Sequence, residues 1–242
     1  MDFLKDSFLS FIPVVIAGLP VALQVLGIAL GIGLPLGLVL ALLGLSRNRI
    51  LQIVLIVIVE IGRGVPILVF LYLFYQGLTR FQIDISPLLA ASISFVWSTA
   101  AYSSEVFKGG IRAVPQGQWD AAAADGFRSF DRYLFIIFPQ AARISLAPVM
   151  NLAIQTFQLT ALTYVITLPE IMMIANIEGA RNFRYMDLYV AAACIYLLIC
   201  LPASYLVSLL DRMANNRSSG SAKPGGNSGK GRIASAERPI AP

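Results

Sequence analysis

Long apolar stretches recur along this chain and constrain its fold more than any other feature. A membrane-spanning helix needs about 20 consecutive, mostly apolar residues. Five stretches meet that length, at residues 20–45, 50–77, 87–107, 133–160 and 188–210. Only 13% of the residues are charged, whereas soluble domains carry roughly 25%. The sequence therefore predicts an all-α membrane protein with five spanning helices.

The remaining segments flank or connect these spans. Residues 1–19 are predicted to form an interfacial segment, and residues 20–213 form the transmembrane domain. Residues 214–242 are rich in Ser, Gly, Lys and Pro, which predicts a disordered basic tail, solvated or in contact with anionic lipid. The apolar stretch 162–174 is too short to span and predicts a re-entrant or surface helix.

Lysine and arginine set the orientation of the spans. Twelve of these residues fall on one predicted side and four on the other. The excess predicts a cytoplasmic C-terminus and an N-terminus outside the cell. The net charge of +5 then reports insertion topology, so no nucleic-acid partner is expected.

Enzymatic chemistry has few candidate groups in this sequence. Histidine, the commonest metal ligand and general base, is absent. Cys194 and Cys200 lie in an apolar stretch and are expected to be buried thiols without a metal or disulfide role. A membrane enzyme or a scaffold without an ATPase partner remains the alternative class.

The segment from Pro115 to Pro139 is too structured for a plain loop. Connections longer than about 12–15 residues without structure of their own are uncommon. Pro115 precedes an alanine-rich run, and Gly126 stands where a left-handed helix cap belongs. A second short helix, capped by Ser129, is predicted to return to the membrane at Pro139. Spacing alone fits docking of a protein, with Phe127 as a knob, and contact with lipid headgroups equally well.

This segment resembles the coupling motif of ABC importer permeases. That motif reads Glu-Ala-Ala, three residues, Gly, nine residues, Ile, one residue, Leu-Pro. The matching residues here are Asp120, Ala121, Ala122, Gly126, Ile136, Phe138 and Pro139. The resemblance implies contact with an ATPase through Gln118, Asp120, Ala121, Ala122, Asp125, Gly126, Phe127 and Pro139.

The resemblance extends beyond this segment. Residues 60–66 resemble the Glu-x-x-Arg-Gly-x-Pro run of polar amino acid permeases, and residues 101–111 resemble the run that enters their coupling loop. The resemblance implies a type I importer in the bacterial inner membrane, with two permeases, identical or paralogous. It also implies a cytoplasmic ATPase dimer that binds the ATP and an extracytoplasmic amino acid binding protein. No cofactor and no catalytic residue are expected in this chain.

Charged groups inside the membrane need partners, because each costs at least about 2.5–3.5 kcal/mol on insertion scales. Glu60 and Arg63 are three residues apart and share a helix face. They form either a self-neutralising structural pair or part of the substrate pathway or its gate, and the structural alternative is favoured. Gly64 and Pro66 could bend the helix beside them. Glu105 is a further intramembrane acid.

Uncharged polar residues form two predicted stripes. The third span carries Ser94 and Ser98, with Tyr102 at the margin of their stripe. The fourth span carries amides at helical spacing, at Asn151, Gln155 and Gln158. Such groups either join helices by hydrogen bonds or line a substrate pathway, and three amides on one face favour a pathway.

The substrate is less constrained by the sequence. The run from Phe157 to Val165 resembles glutamate/aspartate permeases, so an acidic amino acid is the leading expectation. A basic or another polar amino acid is the alternative.

Overall fold

The computed structural model describes residues 10–46 and 48–219, and all of its described elements are helical. The predicted all-α class is therefore confirmed for this part of the chain. The α-helices are α1 (Leu19–Gly44), α2 (Arg49–Gly64), α3 (Ile67–Tyr72), α4 (Pro87–Arg112), α5 (Gln116–Ala124), α6 (Ser129–Asp131), α7 (Phe138–Leu159), α8 (Ile171–Asn182) and α9 (Tyr185–Ser219). The 3-10 turns are Ile16–Gly18 and Thr160–Ile166, and the π-helical turns are Leu73–Gly77 and Arg132–Ile137.

Three helical stretches of the described chain are long and apolar enough to cross a membrane: Ser10–Gly44, Ser129–Ile166 and Tyr185–Arg212. The pair Arg49–Gly64 and Ile67–Gly77 makes a fourth if it counts as one span. The predicted third span, within α4, is long but more polar, because it lies at the centre of the bundle against α1, α2 and α7. A helix sheltered by other helices does not need an apolar surface. The count of five spans and the orientation stay predictions.

The second predicted span is not one straight helix. Its two halves meet at an angle of 98° around Val65 and Pro66. Pro66 has no N–H to continue the ladder of α2, and the residue before a proline is pushed towards extended backbone. Val65 has this extended conformation, with ψ of 125°. The bend expected from Gly64 and Pro66 is confirmed, and the crossing of the membrane by the interrupted span 50–77 stays a prediction.

Small residues allow α1 and α4 to pack closely. A Cβ placed on Gly33 would lie 2.9 Å from the Thr99 Cβ, and one on Gly37 would lie 2.7 Å from the Ala100 carbonyl oxygen. The same kind of contact joins α4 to α7, where Gly110 lies against Ser145. Close backbone approach through small residues is the usual means of helix association in membranes.

The connection after α7 differs from the predicted single helix over 162–174. A 3-10 turn ends at Ile166, Thr167 takes a left-handed conformation with φ of 61°, and α8 starts at Ile171. The break arises because Pro169 cannot donate to a helix ladder and Glu170 caps the new helix through its side chain.

The helices at both ends of the predicted transmembrane domain extend past its predicted limits. The helical stretch that contains α1 already begins at Ser10, inside the segment 1–19, and residues 1–9 lie outside the described residues. At the other end α9 continues to Ser219, into the predicted tail 214–242. Residues 220–242 lie outside the described residues.

Candidate functional site

The helix α5 of the 115–139 segment ends in a glycine turn. Gly126 has φ of +81°. Its N–H donates to the Ala123 carbonyl at 3.1 Å, and the N–H of Phe127 donates to the Ala122 carbonyl at 3.2 Å. These two bonds form a Schellman motif, which needs a left-handed residue after the helix. The predicted helix and its glycine turn are confirmed.

The second helix of this segment starts differently from the prediction. Arg128 holds the N-cap position with extended backbone, and Ser129 is already the first helical residue. The prediction that Ser129 caps the helix is therefore wrong, because a cap side chain must precede the first turn. The Ser129 hydroxyl oxygen instead accepts a hydrogen bond from Arg132 Nη2 at 3.5 Å.

Side-chain contacts fix α5 to the start of α7. The ring of Trp119 meets that of Tyr133 edge-on, with centroids 4.9 Å apart. Arg132 Nη1 donates to the Trp119 carbonyl at 3.5 Å, and Gln140 Nε2 donates to Gln118 Oε1 at 3.3 Å. The helix is thus attached at several points along its length and not only through its ends.

The opposite face of α5 is open. Of the predicted coupling residues, those that are exposed are Gln118, Asp120, Ala121, Asp125, Gly126, Phe127 and Pro139. Ala122 differs from them, since it is 2% exposed and faces its own chain. The exposed face combines small side chains with one aromatic ring, Phe127, at the turn.

The helix break in the second span brings together three of the predicted membrane residues. Glu60 Oε1 and Arg63 Nη1 lie 3.4 Å apart, as their spacing predicted. Tyr102 Oη donates to the Arg63 carbonyl at 3.1 Å, and the Arg63 guanidinium lies 5.8 Å from the centre of the Tyr102 ring. This carbonyl is one of the last in α2 and has no helical partner, so α4 completes the hydrogen bonding of the broken helix. Trp97 Nε1 adds a bond to the Ile58 carbonyl at 3.2 Å.

Glu105 lies apart from this cluster. Its carboxylate accepts a hydrogen bond from Lys108 Nζ at 2.8 Å, and Lys108 is 7% exposed. Lys108 was not predicted as the partner of Glu105, although the spacing of three residues could have identified the pair.

The two polar stripes face different surroundings. Ser94 is fully buried and donates to the Ala90 carbonyl of its own helix at 2.8 Å, while Ser98 is partly buried. The amides of α7 are all exposed, at Asn151, Gln155 and Gln158, and none of their side chains hydrogen-bonds another described residue. The α7 stripe is therefore presented to the outside of the single chain, whereas Ser94 is not.

One buried carboxylate, that of Glu170, was not predicted from the sequence. Glu170 is fully buried and accepts the N–H groups of Met172 and Met173, both at 2.9 Å, and the Tyr196 hydroxyl at 3.1 Å. It lies in the connection between the stretches that end at Ile166 and begin at Tyr185. Burial raises the pKa of its carboxyl to about 7, against these three hydrogen bonds. A carboxylate directly before an apolar run suits a helix N-terminus, where it complements the helix dipole, and this signal could have revealed Glu170.

The profile of the family described as "Binding-protein-dependent transport system inner membrane component" matches residues 33–215. The chain belongs to this family. Residues 115–139, called the coupling segment after the motif they resemble, lie inside the matched range. So do the helix-break cluster of Glu60, Arg63 and Tyr102 and the exposed amide stripe of α7.

Similar curated proteins carry amino acid transport names. The permease is 38% identical over 150 residues to the probable amino-acid ABC transporter permease protein YckA of Bacillus subtilis, covering 62% of its own length and 66% of YckA. It is 34% identical to the L-cystine transport system permease protein TcyB of the same organism, covering 71% and 74%. It is also 34% identical to the histidine/lysine/arginine/ornithine transport system permease protein HisM of Salmonella typhimurium, covering 71% and 76%.

Solved structures of two ABC transporters match the permease in fold. An amino acid ABC transporter crystallised with histidines matches with a TM-score of 0.81 and 32% identity, covering 85% of the permease and 98% of that chain. The inward-facing MetNI methionine ABC transporter matches with a TM-score of 0.59 at 16% identity, which shows the fold alone. The permease is thus a multi-pass inner-membrane subunit of an amino acid ABC importer, with the predicted importer-permease fold.

Proposed function

We propose that a separate cytoplasmic ATPase docks on the exposed face of α5 and drives the passage of a polar amino acid through this permease. The supporting observation is the attachment of α5. Ile111, near the end of α4, and Val114, just after it, pack with Ile137, just before α7, and Ala141, in its first turn. Trp119 packs against this buried cluster. A displacement of α5 is therefore passed to α4 and α7 together. Rigid-body movement of packed helices is a known form of switching between states.

The remaining parts of the machine follow from this role. The permease supplies the passage, and we assign it no catalytic residue and no cofactor. ATP binds to the ATPase dimer, an extracytoplasmic binding protein delivers the amino acid, and a second permease, self or paralogue, completes the membrane unit. The exposed amide stripe of α7 suits either the passage or that second permease, because its side chains lack partners within the chain.

The helix-break cluster is the proposed contact for the amino acid backbone. Glu60 and Arg63 offer opposite charges 3.4 Å apart, and their side chains are 63% and 36% exposed. An α-amino acid carries a matching ammonium and carboxylate, and charge-assisted hydrogen bonds to such groups are the strong ones. Tyr102 places its partly exposed ring beside the same pair. Glu60, Arg63 and Tyr102 would then read the part that all amino acids share.

The transported amino acid could carry an acidic side chain or another polar or basic one. The Phe157–Val165 run supports glutamate or aspartate, whereas TcyB and HisM are named for cystine and for basic amino acids. The pairs Glu60–Arg63 and Glu105–Lys108 are each neutral overall, so they favour neither an acidic nor a basic side chain. We propose a polar amino acid, with glutamate or aspartate tested first against the basic alternatives in binding assays on the delivery protein.

The docking proposal is tested by charging the open face of α5. Ala121→Arg places a bulky cation on this face, and we expect loss of co-purification with the ATPase. Ala180→Arg is the matched control, since Ala180 is also an exposed helical alanine but lies on α8, away from the segment. Retained ATPase association in Ala121→Arg, or equal loss in the control, would contradict the proposal.

A further inference from the structure

A groove opens where the end of α1 meets α4 and the coupling segment. Its volume is about 630 Å³, and its walls include Leu38, Leu42, Ile111, Phe130 and Tyr133. The lining is apolar except for hydroxyl groups such as those of Ser46 and Ser129. The groove lies on the predicted cytoplasmic side, at the level of Gly44, where α1 ends. We call it the coupling groove.

Cationic side chains adjoin this apolar lining. Arg112 follows Ile111, Arg128 precedes Ser129, and Arg132 precedes Tyr133 in the sequence. Arg112 and Arg128 are exposed, and neither forms an ion pair with a described residue. Arg132 hydrogen-bonds through both Nη atoms, yet its buried Nε has no partner in the described part of the chain. Asp131 is the one acid beside a lining residue in the sequence, so the residues that flank the lining carry a net positive charge.

Two other large apolar grooves lack this feature. One, of about 550 Å³, lies between α1, α2 and α4, and the other, of about 220 Å³, lies between α1, α7 and α9. No charged residue adjoins any of their lining residues in the sequence. These two grooves suit bilayer chains of any lipid. The coupling groove differs because cations stand beside an apolar slot.

We propose that the coupling groove binds an anionic phospholipid. One acyl chain lies along Leu38, Leu42 and Ile111, and the phosphate-bearing headgroup meets Arg112 and Arg128. An arginine fork matches phosphate oxygens, and basic pockets beside membrane helices are suited to anionic headgroups. The bound lipid spans the gap between the end of α1 and the second helix of the coupling segment. It thereby braces the element that is proposed to receive the ATPase.

Binding is measured on the delipidated, detergent-purified permease by native mass spectrometry, with phosphatidylglycerol and phosphatidylcholine of identical acyl chains. We expect phosphatidylglycerol to bind more tightly, by roughly 30-fold if each of the two arginines contributes as surface cations do towards anionic lipid. The double variant Arg112→Gln/Arg128→Gln removes the preference, and Arg112→Lys/Arg128→Lys retains most of it.

Filling the slot provides the second arm. Leu42→Trp lowers the preference for phosphatidylglycerol over phosphatidylcholine, whereas Leu23→Trp, in the α1–α7–α9 groove, leaves that preference unchanged. Equal binding of the two lipids, or an unchanged preference in the double glutamine variant, overturns the proposal. It is also overturned if Leu42→Trp keeps lipid binding but abolishes association with the ATPase in lipid-free detergent, since the groove then belongs to a protein partner.

Discussion

Gly126 offers the sharpest test of the coupling geometry, because its role in the chain is purely conformational. Its φ of +81° is a left-handed value, and a Cβ built on it meets nothing within 4 Å. Any effect of Gly126→Ala on the isolated permease therefore comes from the backbone and not from a clash. Left-handed backbone costs an L-residue such as alanine roughly 1–2 kcal/mol, while asparagine tolerates it better.

That cost applies to the turn that orients α5. A penalty of about 1–2 kcal/mol reduces the population of the native turn by a factor of roughly 5–30 relative to its alternatives. Association with the ATPase should weaken by a similar factor in Gly126→Ala. Gly126→Asn, although larger, should restore much of the affinity. Co-purification, and titration of the purified ATPase against each protein in nanodiscs, measure the order of ATPase affinity among the wild type and the two variants.

Two orders of affinity are distinguishable. Glycine first, asparagine second and alanine third indicates that the left-handed turn is what the ATPase requires. Glycine first, alanine second and asparagine third indicates that the partner lies against Gly126 and rejects bulk. Equal affinity in all three proteins would refute the coupling role of the turn.

Three further outcomes follow from the packing. Gly110→Ala should lower the free energy of unfolding by about 1–3 kcal/mol, and with it the melting temperature, because the added Cβ would overlap Ser145. Gly109→Ala is the control, since its Cβ would meet open space and the change should be neutral or stabilising in the same thermal assay. Tyr102→Phe removes the bond to the carbonyl at the helix break and should cost about 0.5–1.5 kcal/mol, with reduced uptake but unchanged ATPase association. Glu170→Gln should flatten the pH dependence of the free energy of unfolding. Because the pKa of the Glu170 carboxyl is raised from 4.5 to about 7, its contribution to stability is fully present below pH 4.5, and up to roughly 3 kcal/mol is lost as the pH rises through 7. An unchanged slope in the variant would contradict this.

Local signals in the sequence predicted the coupling segment well. Pro115 and Gly126 act through their own backbone preferences, so the limits of α5 could be placed without knowledge of the rest of the fold. Spacing also placed the amides of α7 on one face. That the stripe is open, and that Ser94 is buried, depends on which helices pack against α4 and α7. Such packing is not encoded in the periodicity of a single helix.

Two features of the fold could not be predicted in full from the sequence, and their physical causes are similar. Gly64 and Pro66 marked a weak point in the second span, but the angle of 98° also reflects support from Trp97 and Tyr102, which lie about 40 residues away in sequence. The helix predicted over 162–174 is divided in the structure, because Glu170 caps a new helix within the apolar run on which the prediction relied. In both places a polar group satisfies backbone groups freed by a proline.

The measurement that tests the account most directly is uptake into proteoliposomes. The permease is reconstituted with its ATPase, with ATP on the ATPase side and the binding protein, loaded with radiolabelled amino acid, on the other side. We expect accumulation that requires ATP, the ATPase and the binding protein together, and that falls in Ala121→Arg but not in Ala180→Arg. Accumulation without the ATPase, or none with any amino acid that the binding protein retains, would contradict the account.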